Sequence, residues 1–264
     1  MAGVKVASFG LISLQAKWPR FPVEADKYAR GVVGIDTGSE RYPGAAVLTV
    51  LGALNSGAGF VRFTGTAARD AILARAPSVT FGAGRVDAWV VGSGWDEADA
   101  GNHDRWQRVV ADGRPVVVDA GALSLAVDGV PEGSLLTPHA GELARLLGVA
   151  REDITADPVR WAVQAAQDFR VTVLLKGHRQ IVATPEGKAT EPAEGSPWLA
   201  RAGSGDVLAG IAGTALASTR DPELAGVLAA TLQAYCSLQH PGPYPPDVAA
   251  DFLPATLGAI RPHG

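Results

Sequence analysis

Ser196-Pro197-Trp198-Leu199-Ala200-Arg201-Ala202-Gly203-Ser204-Gly205-Asp206-Val207-Leu208-Ala209-Gly210-Ile211 reads as a turn of small residues that opens directly into an apolar helix. Gly203 and Gly205 supply the backbone freedom the turn needs and put no side chain between chain and ligand. The first amides of a helix have no partner inside it, and the aligned peptide dipoles make that end electropositive. Gly203, Ser204 and Gly205 therefore offer a nest of N–H groups for a phosphate. Asp206 falls in the first helical turn. Positive potential there is expected to keep its carboxyl ionised, so that it can take a proton from a hydroxyl as that hydroxyl meets phosphorus. Read locally, the same residues also describe an ordinary aspartate cap after a glycine turn. The Gly-x4-Gly-Lys-Ser/Thr phosphate loop is absent from the chain.

Upstream of this turn, short apolar runs recur at Val32–Asp36, Phe60–Phe63, Asp87–Val91, Pro115–Asp119, Ser134–His139 and Val171–Gly177, with helical patterns such as 45–54, 141–147 and 159–168 between them. The runs are continuous rather than alternating, which marks strands buried on both faces. The fold class is therefore α/β: one domain with a mainly parallel central sheet and helices on both faces. In such sheets ligands bind beyond the carboxyl ends of the strands, so Gly92, Gly94, Asp119, His139 and Lys176 are expected to converge on one edge. A hairpin over 179–190, helices over 207–217 and 224–239, and one more helix over 249–260 follow. Residues 1–24 read as a lead-in: an edge strand and the loop Lys17–Pro22, whose two prolines forbid a helix there.

With 264 residues, 47% apolar and 19% charged, the chain can bury a large core. A net charge of −4 without a dense basic run argues against nucleic acid or anionic membrane as partners. The single cysteine, Cys236, permits no disulfide within the chain, fits a reducing cytoplasm and reads as a buried thiol. None of the five histidines has metal-ligand spacing, so no metal site is expected from side chains alone. Gly-x-Gly-x-x-Gly after a strand and Gly-x-Ser-x-Gly are both missing. His139 opens a helix at a strand end, where a substrate contact and a capping role are equally open, and Lys176 could reach an anion or stand solvated.

Six stretches in order resemble the ADP-dependent NAD(P)H-hydrate dehydratases of the ribokinase-like superfamily: Tyr42–Ala46, Ser56–Gly59, Val91–Gly94, Leu136–Glu142, Leu175–Gly177 and Ala202–Gly210. The resemblance covers 27 to about 239. It implies a repair activity: hydrated NADH or NADPH (NADHX, NADPHX) is phosphorylated on the ring hydroxyl by ADP, and phosphate is then eliminated, leaving AMP. It implies that Asp206 is the base and that Gly203 and Gly205 form the oxyanion hole. Ala45, Ala46, Gly92, Gly94, His139 and Asp206 would face the hydrated nucleotide; Lys176, Gly177, His178, Arg179, Ser204 and Gly205 would face the adenine nucleotide. Mg2+, a homo-oligomer (a tetramer) and a separate epimerase are further implications, with residues 1–24 as the remnant of a fusion junction and 25–264 as the ribokinase-like domain. The sequence departs from the family pattern at Arg201, at Gly121 and Ser124, and at Asp36-Thr37. A carboxylate at Asp36 would repel phosphates unless an arginine offsets it. A small-molecule alcohol kinase of the same superfamily and a catalytically silent nucleotide-binding homologue are the competing readings.

Overall fold

Runs of Val, Ile and Leu with no polar face can only be strands covered on both sides, and the computed structural model, which describes residues 5–260, places them so. His263 and the end of the tail lie outside the described residues. The strands are β1 (Val6–Phe9), β2 (Val32–Asp36), β3 (Phe60–Phe63), β4 (Thr80–Phe81), β5 (Ala88–Val91), β6 (Val116–Val118), β7 (Leu135–Leu136), β8 (Thr172–Leu175), β9 (Ile181–Ala183) and β10 (Ala189–Pro192). They form one sheet in the order β1-β10-β9-β8-β7-β6-β5-β2-β3-β4. Pairing is parallel except at β9, which runs antiparallel to both β8 and β10; this is the hairpin expected over 179–190.

The helices are α1 (Leu11–Lys17), α2 (Pro43–Asn55), α3 (Arg69–Arg75), α4 (Gly101–Ala111), α5 (Ala140–Leu147), α6 (Arg151–Ala156), α7 (Pro158–Phe169), α8 (Ser204–Thr219), α9 (Pro222–Gln239), α10 (Pro246–Asp251) and α11 (Leu253–Ile260). Alternate residues of each strand feed two cores. Val33, Ile35, Val90 and Leu174 pack under α2, α8 and α9, while Val91, Val118, Val173 and Leu175 pack under α4, α5 and α7. Helices α2 and α8 touch backbone to backbone: a Cβ on Gly210 would fall 2.1 Å from the Thr49 carbonyl oxygen. Leu48 lies beside Gly203 and Gly52 beside Val207, so the two helices run parallel and their N-termini open at the same end.

Two local readings change. The single helix expected over 249–260 is two, because Pro254 has no N–H to bond the Ala250 carbonyl and suits the first turn of a helix, so α11 starts afresh after α10. The lead-in carries α1, which the sequence reading left out, and its Leu14 is fully buried in the core. Strand β1 pairs with β10 at the sheet edge, and α1 packs on α9.

Candidate functional site

The carboxyl ends of β2, β5, β6, β7 and β8 and the start of α8 meet on one edge of the sheet. Gly203 precedes α8 in left-handed backbone (φ +93°), the conformation a side chain disfavours. Beyond it, the Ser204 amide donates to the Arg201 carbonyl and the Val207 amide to that of Gly203. Among the described residues, the amides of Gly203, Gly205 and Asp206 donate to no backbone carbonyl, which leaves them open to an anion.

Beside this nest stands Lys176. Its Nζ donates to Asp119 Oδ1 at 2.5 Å, and an added Cβ on Gly205 would lie 3.5 Å from that nitrogen. The buried Asp119 carboxylate also accepts from Thr137 Oγ1 (2.9 Å) and Ser93 Oγ (2.8 Å). Burial alone would lower the Lys176 pKa, but the carboxylates of Asp119, Glu142 and Asp206 outweigh it and hold the ammonium above its usual value. Asp206 behaves opposite to the sequence expectation. Burial first, and the negative charge of Asp119 second, push its carboxyl from 3.8 to about 7, with Lys176 pulling the other way. The expectation of a firmly ionised acid is overturned because desolvation outweighs the helix terminus.

The turn 202–206 separates two clefts. The larger, about 850 Å3, is lined by Tyr42, Ala45, Gly94, Trp95, Glu142, Gly203 and Asp206 among others. The smaller, about 520 Å3, has His139, Lys176, Gly177, His178, Ser204 and Gly205 on its walls. Of the expected residues, Ala45, Gly94, Gly203 and Asp206 line the larger cleft and Lys176, Gly177, His178, Ser204 and Gly205 the smaller, and four stand otherwise. Ala46 and Gly92 are buried behind the larger cleft rather than on its wall. His139 lines the smaller cleft, not the larger. Arg179 turns away from both and forms a two-pronged pair with Glu191 (2.7 and 2.9 Å).

His139 is a cap. Its Nδ1 accepts from the Glu142 amide (3.0 Å), while Glu142 Oε2 accepts from the His139 amide (2.7 Å). A neutral imidazole so engaged carries its proton on Nε2, which lies 3.4 Å from Glu142 Oε1. The sequence reading missed Gln180 and Gln233 on the smaller cleft; Gln233 reaches from α9 to the Ser204 carbonyl (2.8 Å). Gln180 is next to an expected residue and was within reach of the reading, whereas a glutamine in the middle of an apolar helix gives no local signal.

Two departures find their partners. Asp36 is buried and held by Arg105 of α4. Arg201 is not its counter-ion: it donates to the Pro243 carbonyl (2.5 Å), tying the loop before the anion nest to the segment before α10. Among the described residues, no three metal-ligating side chains converge, and no helix is long and apolar enough to cross a membrane.

A family model described as NAD(P)H-hydrate dehydratase matches residues 33–253. The chain is 41% identical over 229 residues to the bifunctional NAD(P)H-hydrate repair enzyme Nnr of Mycobacterium tuberculosis, covering 83% of this chain and 47% of that one. It is 29% identical over 246 residues to the ADP-dependent (S)-NAD(P)H-hydrate dehydratase of Bacillus subtilis, covering 85% and 86% of the two chains. The crystal structure of an ADP/ATP-dependent NAD(P)H-hydrate dehydratase from Bacillus subtilis, co-crystallized with ATP/Mg2+, superposes with a TM-score of 0.89 at 25% identity over 98% of this chain and 100% of that one. The chain spans about half the length of the bifunctional relatives it matches.

Proposed function

The chain belongs to the NAD(P)H-hydrate dehydratase family, and on that footing we propose that it dehydrates NADHX and NADPHX back to NADH and NADPH at the expense of ADP, with AMP and phosphate as by-products. One observation carries the reading: an acid poised near neutrality, Asp206, stands at the head of three open amides between two clefts. The larger cleft takes the hydrated nucleotide and the smaller one the adenine nucleotide.

An Asp206 carboxylate oxygen accepts the proton of the ring hydroxyl as the hydroxyl oxygen bonds to the β-phosphorus of ADP and the bond to AMP breaks. The amides of Gly203, Gly205 and Asp206 receive the charge building on the phosphoryl oxygens, and the Lys176 ammonium supplies a fixed positive charge beside them. Phosphoryl transfer turns a poor leaving group, hydroxide, into a good one. The ring nitrogen's lone pair then expels phosphate as the ring loses a proton, and the double bond of the working cofactor returns. A magnesium ion would be held mainly by the nucleotide's phosphates and would neutralise their charge; Glu142 is the cleft carboxylate beside the nest that would suit it while leaving Asp206 free as the base. Homo-oligomer formation, a separate epimerase and a cytoplasmic location belong to the same reading.

Incubating the protein with hydrated NADH and ADP should restore NADH absorbance, and Asp206→Asn should abolish the recovery while ADP still binds. Phosphorylation of another alcohol without recovery of NADH would reject this reading in favour of a kinase. A wild type no faster than Asp206→Asn would favour a silent nucleotide-binding homologue.

A further inference from the structure

Two of the departures from the family pattern, Asp36 and Gly121, meet at one side chain, Trp95. This tryptophan is 3% exposed and lies beside Gly94 on the wall of the larger cleft. Its indole Nε1 donates to the Asp36 carbonyl oxygen at 2.9 Å. A Cβ on Gly121 would fall 2.6 Å from the Trp95 carbonyl oxygen and 2.9 Å from its Cβ, so only glycine lets the segment after β6 close on that residue.

Arg105 of α4 covers the indole, its Cζ 4.2 Å from the ring centroid. Its Nε and Nη2 donate to Asp36 Oδ1 at 2.9 and 2.5 Å, Nη2 donates also to the Gly38 carbonyl (3.2 Å), and Nη1 donates to Asn102 Oδ1 (3.2 Å). Asn102 in turn donates to the Asp96 carbonyl at 2.7 Å. One guanidinium thus joins the loop after β2, the loop after β5 and the start of α4. A lysine, with a point charge in place of a flat fork, could not stack on the ring and reach the three oxygens together.

Folding alone does not call for this arrangement. A buried ion pair adds little stability over apolar residues of the same volume. What it supplies is direction: it fixes the Trp95 ring and sets Gly38 against Gly94, where apolar packing would leave both free to shift.

We propose that Arg105 and Asp36 are positioning residues for the Gly94–Trp95 wall, and that this wall sets how tightly the larger cleft holds a nicotinamide dinucleotide. The inference rests on the reading of that cleft as the hydrated-nucleotide side. The smaller cleft, on the far side of the 202–206 turn, is outside its reach.

The test uses the full chain as wild type, as Arg105→Lys, and as the neutral pair Asp36→Asn with Arg105→Gln, which leaves no orphan charge buried. Calorimetric titration with NADH and, separately, with ADP is combined with thermal melting and with the NADH-recovery assay. Arg105→Lys should weaken NADH binding by about tenfold or more and change ADP binding by less than about twofold. The neutral pair should regain the wild-type melting temperature without regaining NADH affinity. If affinity returns together with melting temperature, or if NADH and ADP binding weaken alike, the residues only support the fold and the proposal is overturned. A wild type that binds NADH and shows the split, yet restores none from its hydrate, overturns the dehydratase reading and upholds the positioning role. A wild type that restores NADH, with variants unchanged in NADH affinity, overturns the positioning role alone. A wild type that neither binds NADH nor restores it overturns both, and one that restores NADH without measurable NADH affinity overturns the positioning role alone.

Discussion

Turnover should switch on as pH rises through neutrality, because the base it needs is protonated below that point. The Asp206 carboxyl stands at about 7 against a usual 3.8. At about 1.4 kcal/mol for each tenfold step in proton affinity, that is roughly 4 kcal/mol against the charged form. A base acts only when unprotonated, so kcat/KM for hydrated NADH at saturating ADP should fall ~tenfold for each pH step below about 7 and level off above it. The Asp119→Asn variant removes the like charge that helps raise the carboxyl, so its acid limb should move to lower pH. Stability carries the matching sign. A carboxyl with a folded pKa above its unfolded value stabilises the fold while protonated, and that contribution is lost between about pH 4 and about pH 7. Asp206→Asn, which never ionises, should therefore melt above the wild type at about pH 8, by at most ~4 kcal/mol, with the gap closing toward about pH 4. A flat rate profile from about pH 5.5 to about pH 8.5 would refute the reasoning. So would an acid limb that Asp119→Asn leaves in place, or an Asp206→Asn variant that melts below the wild type at the alkaline end.

The other predictions concern parts of the same edge and its support. Gly203→Ala forces a side chain into left-handed backbone and sets a Cβ 2.6 Å from Leu48 Cδ1; denaturant melting should show a loss of about 1–3 kcal/mol and the assay a raised KM for ADP. Lys176→Met takes away the cation beside the nest, and the KM for ADP should rise ~10- to 100-fold, the scale of a lost hydrogen bond to a charged group. Arg179→Ala, by contrast, breaks only an exposed pair with Glu191; it should cost less than about 1 kcal/mol and leave the KM for ADP unchanged. Leu14→Ala opens a cavity in the core beneath α1, and chemical denaturation should register a loss of about 2–5 kcal/mol.

The row Gly92, Gly94, Asp119, His139 and Lys176 was legible because each of these residues ends an apolar run, and the end of a buried parallel strand has one place to go. The Gly203–Asp206 nest was legible because its geometry is local. What escaped the reading comes from residues that meet only after the sheet is built. Arg105 and Gln233 sit within helices, where a single polar residue says nothing about its partner across the fold. Arg179, read from its motif as a nucleotide contact, is claimed by Glu191 across the β9–β10 hairpin. Helix α1 is short and lies just ahead of two prolines, and only its burial against α9 makes it worth forming.

The charge on Asp206 was misjudged for the same reason, and the correction bears on mechanism. A helix terminus favours an ionised acid, and the sequence shows the terminus; it does not show how deeply the acid is buried or that Asp119 lies close enough to repel it. Two buried carboxylates at the ends of the strands have cations of their own, Asp36 with Arg105 and Asp119 with Lys176. Among the described residues, Asp206 alone of these three forms no ion pair and accepts no hydrogen bond on its side chain. Raised to about 7, the Asp206 carboxyl can gain and lose a proton near neutral pH. A base held near neutrality takes up a hydroxyl proton more readily than one held near 4, and it can return that proton in a later step. Asp119 thus does more than hold loops: its charge adds to burial in raising Asp206, while Lys176, held by Asp119, offsets that rise only in part, and this balance is what tunes Asp206 for proton transfer.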